Sequence, residues 1–292
     1  MRIGVCIIPT DPWPVAVAQA RHVEALGFDH LWTYDHLSWQ HYRDRPWFSA
    51  IPWLTGIAGV TERIRIGTMV SSPNFRDPLT LAKDAIALDH ISGGRFILGV
   101  GAGGLGWDAN LFRDEPLPAA DRSARFGEFV EAIDGLLTDH EFSFRGEHYL
   151  INDARTTPGS VQIPRLPLAV AANGQRALDL AARFGDAWIT IGDYEHFTGT
   201  PDEIHASIAD QVHRFEDACA RVDRDPGTID RIYLTGATAD RPLASVGAFS
   251  DYIGRYEALG FTDLVVHHPR ADDPAWNDPP DILDQIANAR PL

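Results

Sequence analysis

Short apolar runs alternate with longer amphipathic ones along the whole 292-residue chain, and this alternation restricts the fold more than any other feature. Strand-like runs fall at Ile3–Ile8, His30–Thr33, Ile64–Thr68, Phe96–Val100, Leu168–Ala171, Ala187–Ile191, Arg231–Leu234 and Leu264–His267. Apolar residues at helical spacing predict helices over Pro14–Leu26, Phe48–Val60, Leu79–Ile91, Arg122–Leu137, Ala177–Phe184, Pro201–Arg221, Ala244–Leu259 and Pro280–Ala289. Strand and helix in strict alternation imply parallel strands joined by crossover helices. Eight such units match a closed (β/α)8 barrel, which needs about 250 residues plus insertions. The expected architecture is an α/β TIM-like barrel, one domain over residues 1–292.

The alternation is interrupted once, between Asp139 and Pro167. Glu141 to Leu150 alternates around Gly146, which predicts a hairpin, and a stretch carrying Pro158, Pro164 and Pro167 follows. So long an excursion in a compact domain is usually functional, and a lid over the barrel mouth is expected.

Gly99-Val100-Gly101-Ala102-Gly103-Gly104 matches GxGxxG after a strand, the pattern of a dinucleotide-binding open sheet. That fingerprint requires its last glycine to open a helix. Here Pro116 and Pro118 follow, and helical spacing resumes only near Arg122. The glycines therefore read as a βα loop that lets a planar or phosphorylated ligand approach the backbone.

Composition narrows the function. Forty-one acidic against 25 basic residues leave a net charge of −16, which repels phosphate backbones and anionic membranes. Cys6 and Cys219 stand far apart, arguing against a disulfide framework or a zinc ribbon. Neither a signal peptide nor a membrane span is expected, and the chain reads as cytoplasmic. Lys83 is the only lysine and falls in a helical pattern with no P-loop before it, so it reads as a solvated side chain.

In a barrel, ligands bind at the C-terminal ends of the strands. After the second strand comes Tyr34-Asp35-His36-Leu37-Ser38-Trp39, whose adjacent acid and imidazole suit metal ligation, acid–base work or hydrogen bonding to a heterocycle. No other strand end supplies a clear ligand cluster, His267-His268 being a partial exception, so no metal is expected. After the third strand, Arg76 reads as a surface arginine and Pro78 as the opening of a helix. Ala171-Ala172-Asn173-Gly174 leads small residues into a helix N-terminus suited to an anion or to tight packing. Trp39 and Trp107 follow strand ends and suit a flat aromatic pocket, whereas Trp188 reads as core.

Taken in order, Ser92-Gly93-Gly94-Arg95-Phe96 through Gly103, the segment Phe144-Arg145-Gly146-Glu147-His148-Tyr149 with its later prolines, Ala171 to Gly174, and Ala181 to Ala187 resemble the luciferase-like family, specifically its coenzyme F420-dependent oxidoreductase branch. The resemblance implies a barrel holding a flavin or deazaflavin at the strand C-termini, with a bulge after the third strand behind the ring. By alignment that bulge would carry a non-prolyl cis peptide at Met69–Val70. It implies that Asp35 and His36 lie by the deazaflavin, His36 as proton partner or polariser, with Trp39 as an active-site tryptophan. Met69, Val70, Ser71, Gly101, Ala102, Gly103, Ala171, Ala172, Asn173, Gly174 and Thr190 would contact the cofactor, and Trp39, Trp107 and Tyr194 the substrate. The chain departs from the F420-dependent glucose-6-phosphate dehydrogenases, having Gly104 where they have an acid and Tyr194 where they have a phosphate-binding lysine. A less polar or carbonyl-bearing substrate is expected instead of a sugar phosphate.

The function expected is hydride transfer between C5 of F420 and a small organic substrate. Two alternatives stand beside it: an FMN-dependent monooxygenase fed by a flavin reductase, and a non-catalytic flavin- or deazaflavin-binding protein. A homodimer is the family-level expectation.

Overall fold

The computed structural model describes residues 1–37, 39, 42–104, 107–193, 198–236 and 240–289, and of Trp107 the backbone alone. In chain order the strands are β1 Arg2–Cys6, β2 His30–Thr33, β3 Arg65–Thr68, β4 Phe96–Val100, β5 Glu141–Arg145, β6 Leu150–Arg155, β7 Leu168–Ala171, β8 Ala187–Thr190, β9 Asp230–Leu234 and β10 Asp263–His267. The helices are α1 Trp13–Ala25, α2 Ala50–Val60, α3 Pro78–Ser92, α4 Trp107–Leu111, α5 Ala119–Thr138, α6 Gln175–Phe184, α7 Pro201–Arg221, α8 Val246–Glu257 and α9 Ile282–Ala289. Eight parallel strands close in the order β1-β2-β3-β4-β7-β8-β9-β10, with β10 pairing β1. The short helix α4 breaks the expected pattern, because five residues are too few to show helical periodicity.

Local sequence explains where the helices begin and end. Asp77 caps α3 by accepting from the backbone N–H of Leu79 (3.0 Å) and Thr80 (3.2 Å), Pro78 follows at the first turn, and Gly93 ends the helix at φ 67°. Thr200 and Glu203 form a reciprocal capping box at the start of α7.

Alternation along each strand sorts the core into two layers. Ile3, Val5, Leu31, Ile66, Leu98 and Val266 pack against the helices, while Cys6, Trp32, Ile97, Ile189 and Val265 fill the barrel. Trp188 is fully buried, stacks on Phe215 with centroids 4.6 Å apart, and donates from Nε1 to the Ala172 carbonyl (2.8 Å). Toward the N-terminal end, His30 and Trp32 plug the barrel. Side chains that large fit because glycines face them: an added Cβ would fall 2.1 Å from the His30 ring at Gly4 and 2.4 Å from the Trp32 ring at Gly67. Trp32 Nε1 donates to His30 Nδ1 (2.7 Å) and His30 Nε2 meets Asp263 (2.7 Å), so the plug carries its own polar partners.

The excursion from 139 to 167 contains the expected hairpin, β5–β6, but does not cover the mouth. The hairpin lies along the flank of α5: the Phe142 ring packs where Gly135 has no side chain, and the Glu128 carboxylate accepts from the N–H groups of Glu147, His148 and Tyr149 at the hairpin tip. The following segment passes beneath the opposite end of the barrel. There Gln162 binds Asp89 (2.7 Å) and the Phe96 carbonyl at the start of β4 (2.8 Å), and Arg165 bridges Asp134 (2.9 Å) and Asp186 (2.5 Å). The lid expectation is corrected: buried Asp89 and the α5 carboxylates attract the segment to the N-terminal face. Among the described residues no helix is long and apolar enough to cross a membrane.

Candidate functional site

The strand C-termini converge on the mouth, and two acids there have exchanged the roles suggested by their positions. Asp35, directly after β2, turns inward and is 1% exposed. It accepts from Ser71 Oγ (2.5 Å) and takes a bidentate grip from Arg76, Nε to Oδ2 at 2.9 Å and Nη2 to Oδ1 at 2.7 Å. A buried carboxylate requires such a partner, so Arg76 is drawn out of solvent. The surface expectation for Arg76 is corrected by this ion pair.

His36 does not pair with its neighbour Asp35. Its Nδ1 bonds the Asp108 carboxylate, whose other oxygen accepts from the Leu37 N–H (2.9 Å). Asp108 sits on α4, directly after the glycine loop, and is buried, while about a third of the His36 side chain stays exposed. A carboxylate acceptor places the imidazole proton on Nδ1 and leaves Nε2 as the nitrogen available at the mouth. Asp108 went unremarked in the sequence. The available signal was an acid four residues beyond Gly104, at the end of the glycine loop.

Aromatic rings wall the site. Trp39 stacks on His36 (6.0 Å between centroids, 22°), Tyr42 (5.9 Å, 19°) and Trp276 (5.8 Å, 12°), while Trp47 donates from Nε1 to the His36 carbonyl (2.7 Å). Tyr42 hydrogen-bonds Asp273, and burial together with that carboxylate raises its hydroxyl pKa. Tyr34 Oη lies 2.7 Å from His267 Nε2. Burial holds the His267 imidazole down at about 3, so it is neutral at pH 7.

The bulge after β3 carries a cis peptide at Met69–Val70. It lies against the glycine loop: a Cβ on Gly99 would meet the Thr68 carbonyl at 1.9 Å, and one on Gly101 the Val70 Cγ2 at 2.5 Å. Ser71 N donates to the Gly99 carbonyl (2.8 Å), and Gly101 N to that of Ser71 (2.9 Å). The group approaching these glycines most closely is thus the bulge itself. Gly103, at φ 76°, faces the Asn74 side chain.

Asn74 leads to a residue that the sequence reading missed. Arg125 on α5 is 5% exposed, donates from Nη2 to Asn74 Oδ1 (2.6 Å), and has a buried Nε without a partner among the described residues. It forms no carboxylate ion pair among the described residues, and desolvation lowers its pKa. The β7 loop is adjacent, since β4 pairs with β7. There Gly174 begins α6 without a side-chain cap, and Asn173 Nδ2 donates to the Gly192 carbonyl (3.0 Å). Ala171 is half-buried and Ala172 is buried. Thr190 is also buried. Its hydroxyl bonds Gln211 (2.6 Å) and the Gly192 N–H (3.0 Å), so it braces this loop from behind. Tyr194 and the Trp107 side chain lie outside the described residues. Among the described residues no group of three or more His, Cys, Asp or Glu is placed to hold a metal ion.

A parallel eightfold barrel with a cis-peptide bulge and a histidine–carboxylate pair at its mouth defines an α/β barrel protein with a ligand site at the strand C-termini. The sequence pattern of the luciferase-like monooxygenase family matches residues 1–246, and the chain belongs to that family. It is 29% identical over 294 residues to an uncharacterized protein of Mycobacterium tuberculosis, covering 94% of this chain and 95% of that one. An F420-dependent glucose-6-phosphate dehydrogenase of Amycolatopsis mediterranei is 35% identical over 214 residues, 71% of this chain and 62% of that enzyme. Among solved structures, an F420-dependent secondary alcohol dehydrogenase in complex with an F420-acetone adduct superposes with a TM-score of 0.79 at 18% identity, covering 99% of this chain and 98% of that one. That structural likeness speaks for the fold alone.

Proposed function

We propose that the protein is an F420-dependent oxidoreductase that moves a hydride between the deazaflavin C5 and a small, hydrophobic or carbonyl-bearing organic substrate. The observation that carries this reading is the His36–Asp108 pair at a mouth walled by Trp39 and backed by the Met69–Val70 bulge. The names of the relatives support the choice of cofactor.

The residues present fit such a group. Val70, half-buried at the bulge, offers a backing surface for a planar ring system, with the fully buried Ser71 holding the bulge from behind. The buried Arg125, with its unpartnered Nε, and the uncapped start of α6 suit an anionic tail lying across the loops after β4 and β7. When bound, F420 supplies the hydride-carrying carbon. His36, held through Nδ1 by Asp108, presents Nε2 to give or take a proton at a substrate oxygen or to polarise it. The Asp35–Arg76–Ser71 cluster ties the β2 and β3 loops together and fixes the backbone from which His36 projects. The stacked rings of Trp39, Tyr42 and Trp276 exclude water and favour a flat, apolar substrate.

Titration of the purified protein with F420 and, separately, with FMN tests the reading through cofactor fluorescence. The expected result is F420 binding at micromolar Kd or tighter, with FMN much weaker. The reverse preference would move the assignment to a monooxygenase, and binding of neither would overturn it.

A further inference from the structure

Among the described residues, two buried nitrogens beside the mouth have no hydrogen-bond partner. His267 Nδ1 and Trp276 Nε1 belong to side chains stacked with centroids 4.3 Å apart at 18°, the residues being 4% and 6% exposed. A buried donor without an acceptor is costly, and native proteins rarely leave two together. Both residues line the same small cavity at the ends of β9 and β10, with Thr235, Asp240 and Arg241 around it. Its volume of about 20 Å³ holds one water molecule or one oxygen-bearing group of a ligand.

The pair is joined to the proposed reaction site. Trp276 stacks on Trp39, and His267 bonds Tyr34, whose ring meets His36 edge-on with centroids 6.0 Å apart. We propose that His267 Nδ1 and Trp276 Nε1 form a second oxygen-binding slot of the substrate pocket, taking a neutral carbonyl or hydroxyl oxygen carried on an aromatic or conjugated body that lies against Trp39. The inference rests on the oxidoreductase reading and adds a substrate feature to it: a polar oxygen held apart from the atom that reacts beside His36.

The donor set selects the oxygen. Trp276 Nε1–H only donates. If the Tyr34 hydroxyl donates to His267 Nε2, the His267 proton resides on Nδ1, and both nitrogens donate to the two lone pairs of a carbonyl. In the other tautomer Nδ1 accepts, and a hydroxyl satisfies both nitrogens at once. His267 stays neutral at pH 7, so it supplies no charge to favour an anion. The cations nearby are already engaged, Arg241 by Asp278 (2.7 Å) and Arg255 by Asp240 (3.4 Å). A carboxylate is therefore the wrong ligand and a ketone, phenol or alcohol the right one.

The test uses the whole chain saturated with F420 and three probes of one shape: acetophenone, 1-phenylethanol and cumene, which lacks the oxygen. Each is titrated while the Trp276 indole N–H resonance is followed in the 15N-labelled protein. The two oxygenated probes are expected to shift that resonance and to bind on the order of five- to tenfold more tightly than cumene. Trp276→Phe, which keeps the ring, is expected to bring the three affinities within about twofold of one another. His267→Phe provides a second route to the same loss should that variant not fold. Equal binding of all three probes by the native chain, or an unmoved indole resonance, would mean a water-filled slot and overturn the proposal. The F420 affinity measured at the outset reports on the cofactor reading separately, so a chain that binds F420 but ignores the oxygen loses this inference alone.

Discussion

The His36 imidazole is oriented by Asp108, 72 residues further along the chain, and not by the adjacent Asp35. Successive residues leaving a strand point to opposite sides, so Asp35 and His36 cannot readily share one contact. Their neighbours answer this division, with Arg76 and Ser71 on the buried side and α4 on the side of the mouth. The pairing makes Asp108 a positioning residue. Asp108→Asn is expected to lower kcat on the order of 10²-fold while leaving F420 affinity within about threefold, a split that marks loss of orientation and not of binding. Side-chain 15N shifts of His36 provide the second readout, and an unchanged tautomer in the variant would contradict this role.

Arg76→Ala should strand a buried carboxylate. Loss of one partner from a buried ion pair costs about 3–5 kcal/mol, measurable as a lower urea midpoint. The double variant Asp35→Asn with Arg76→Met removes both charges and is expected to recover a large part of that loss. Equal stability of single and double variants would show that a stranded Asp35 charge is not the cause of the loss.

Gly101→Ala drives a methyl group into Val70, whereas Gly104 faces open space. The first substitution is expected to displace the bulge and weaken F420 binding by about tenfold or more, while Gly104→Ala changes it by less than about twofold. Two equal Kd values would remove the bulge from the cofactor site.

Acid should destabilise the fold in two steps. Burial holds His267 at about 3, below its unfolded value, so the unfolded chain takes up a proton that the native one refuses, and stability falls as pH drops from about 6.5 toward 3. Asp263 is held down at about 2 by hydrogen bonds from His30, Arg2 and Thr262, which outweigh the opposing effect of burial. Its contribution is present above about pH 4 and is lost as pH falls through 2. Urea titrations across this range check both steps. His267→Gln should flatten the upper part of the stability profile and Asp263→Asn the lower, each by less than about 1.4 kcal/mol per pH unit for one proton.

Periodicity alone was enough to read the barrel. All eight expected barrel strands start within one residue of their final positions, His30–Thr33, Phe96–Val100 and Leu168–Ala171 without any change, because hydrophobic alternation and caps such as Asp77 act over a few residues. The bulge position at Met69–Val70 was legible only through the resemblance to the luciferase-like family, and the structure carries a cis peptide there. What the sequence left open was every relationship made across the mouth or beneath the barrel. Arg76 looked like a surface cation until the fold placed a buried carboxylate within reach, and the hairpin segment looked like a lid until Asp89 and Asp186 drew it to the opposite end. Asp108 had only its place four residues beyond Gly104 to mark it, and His267 and Trp276 come to line one cavity only where β10 and the segment after it return to the mouth. Local chemistry sets which elements form. Charge pairing and burial between residues far apart in the chain become defined only when closure of the barrel brings them together.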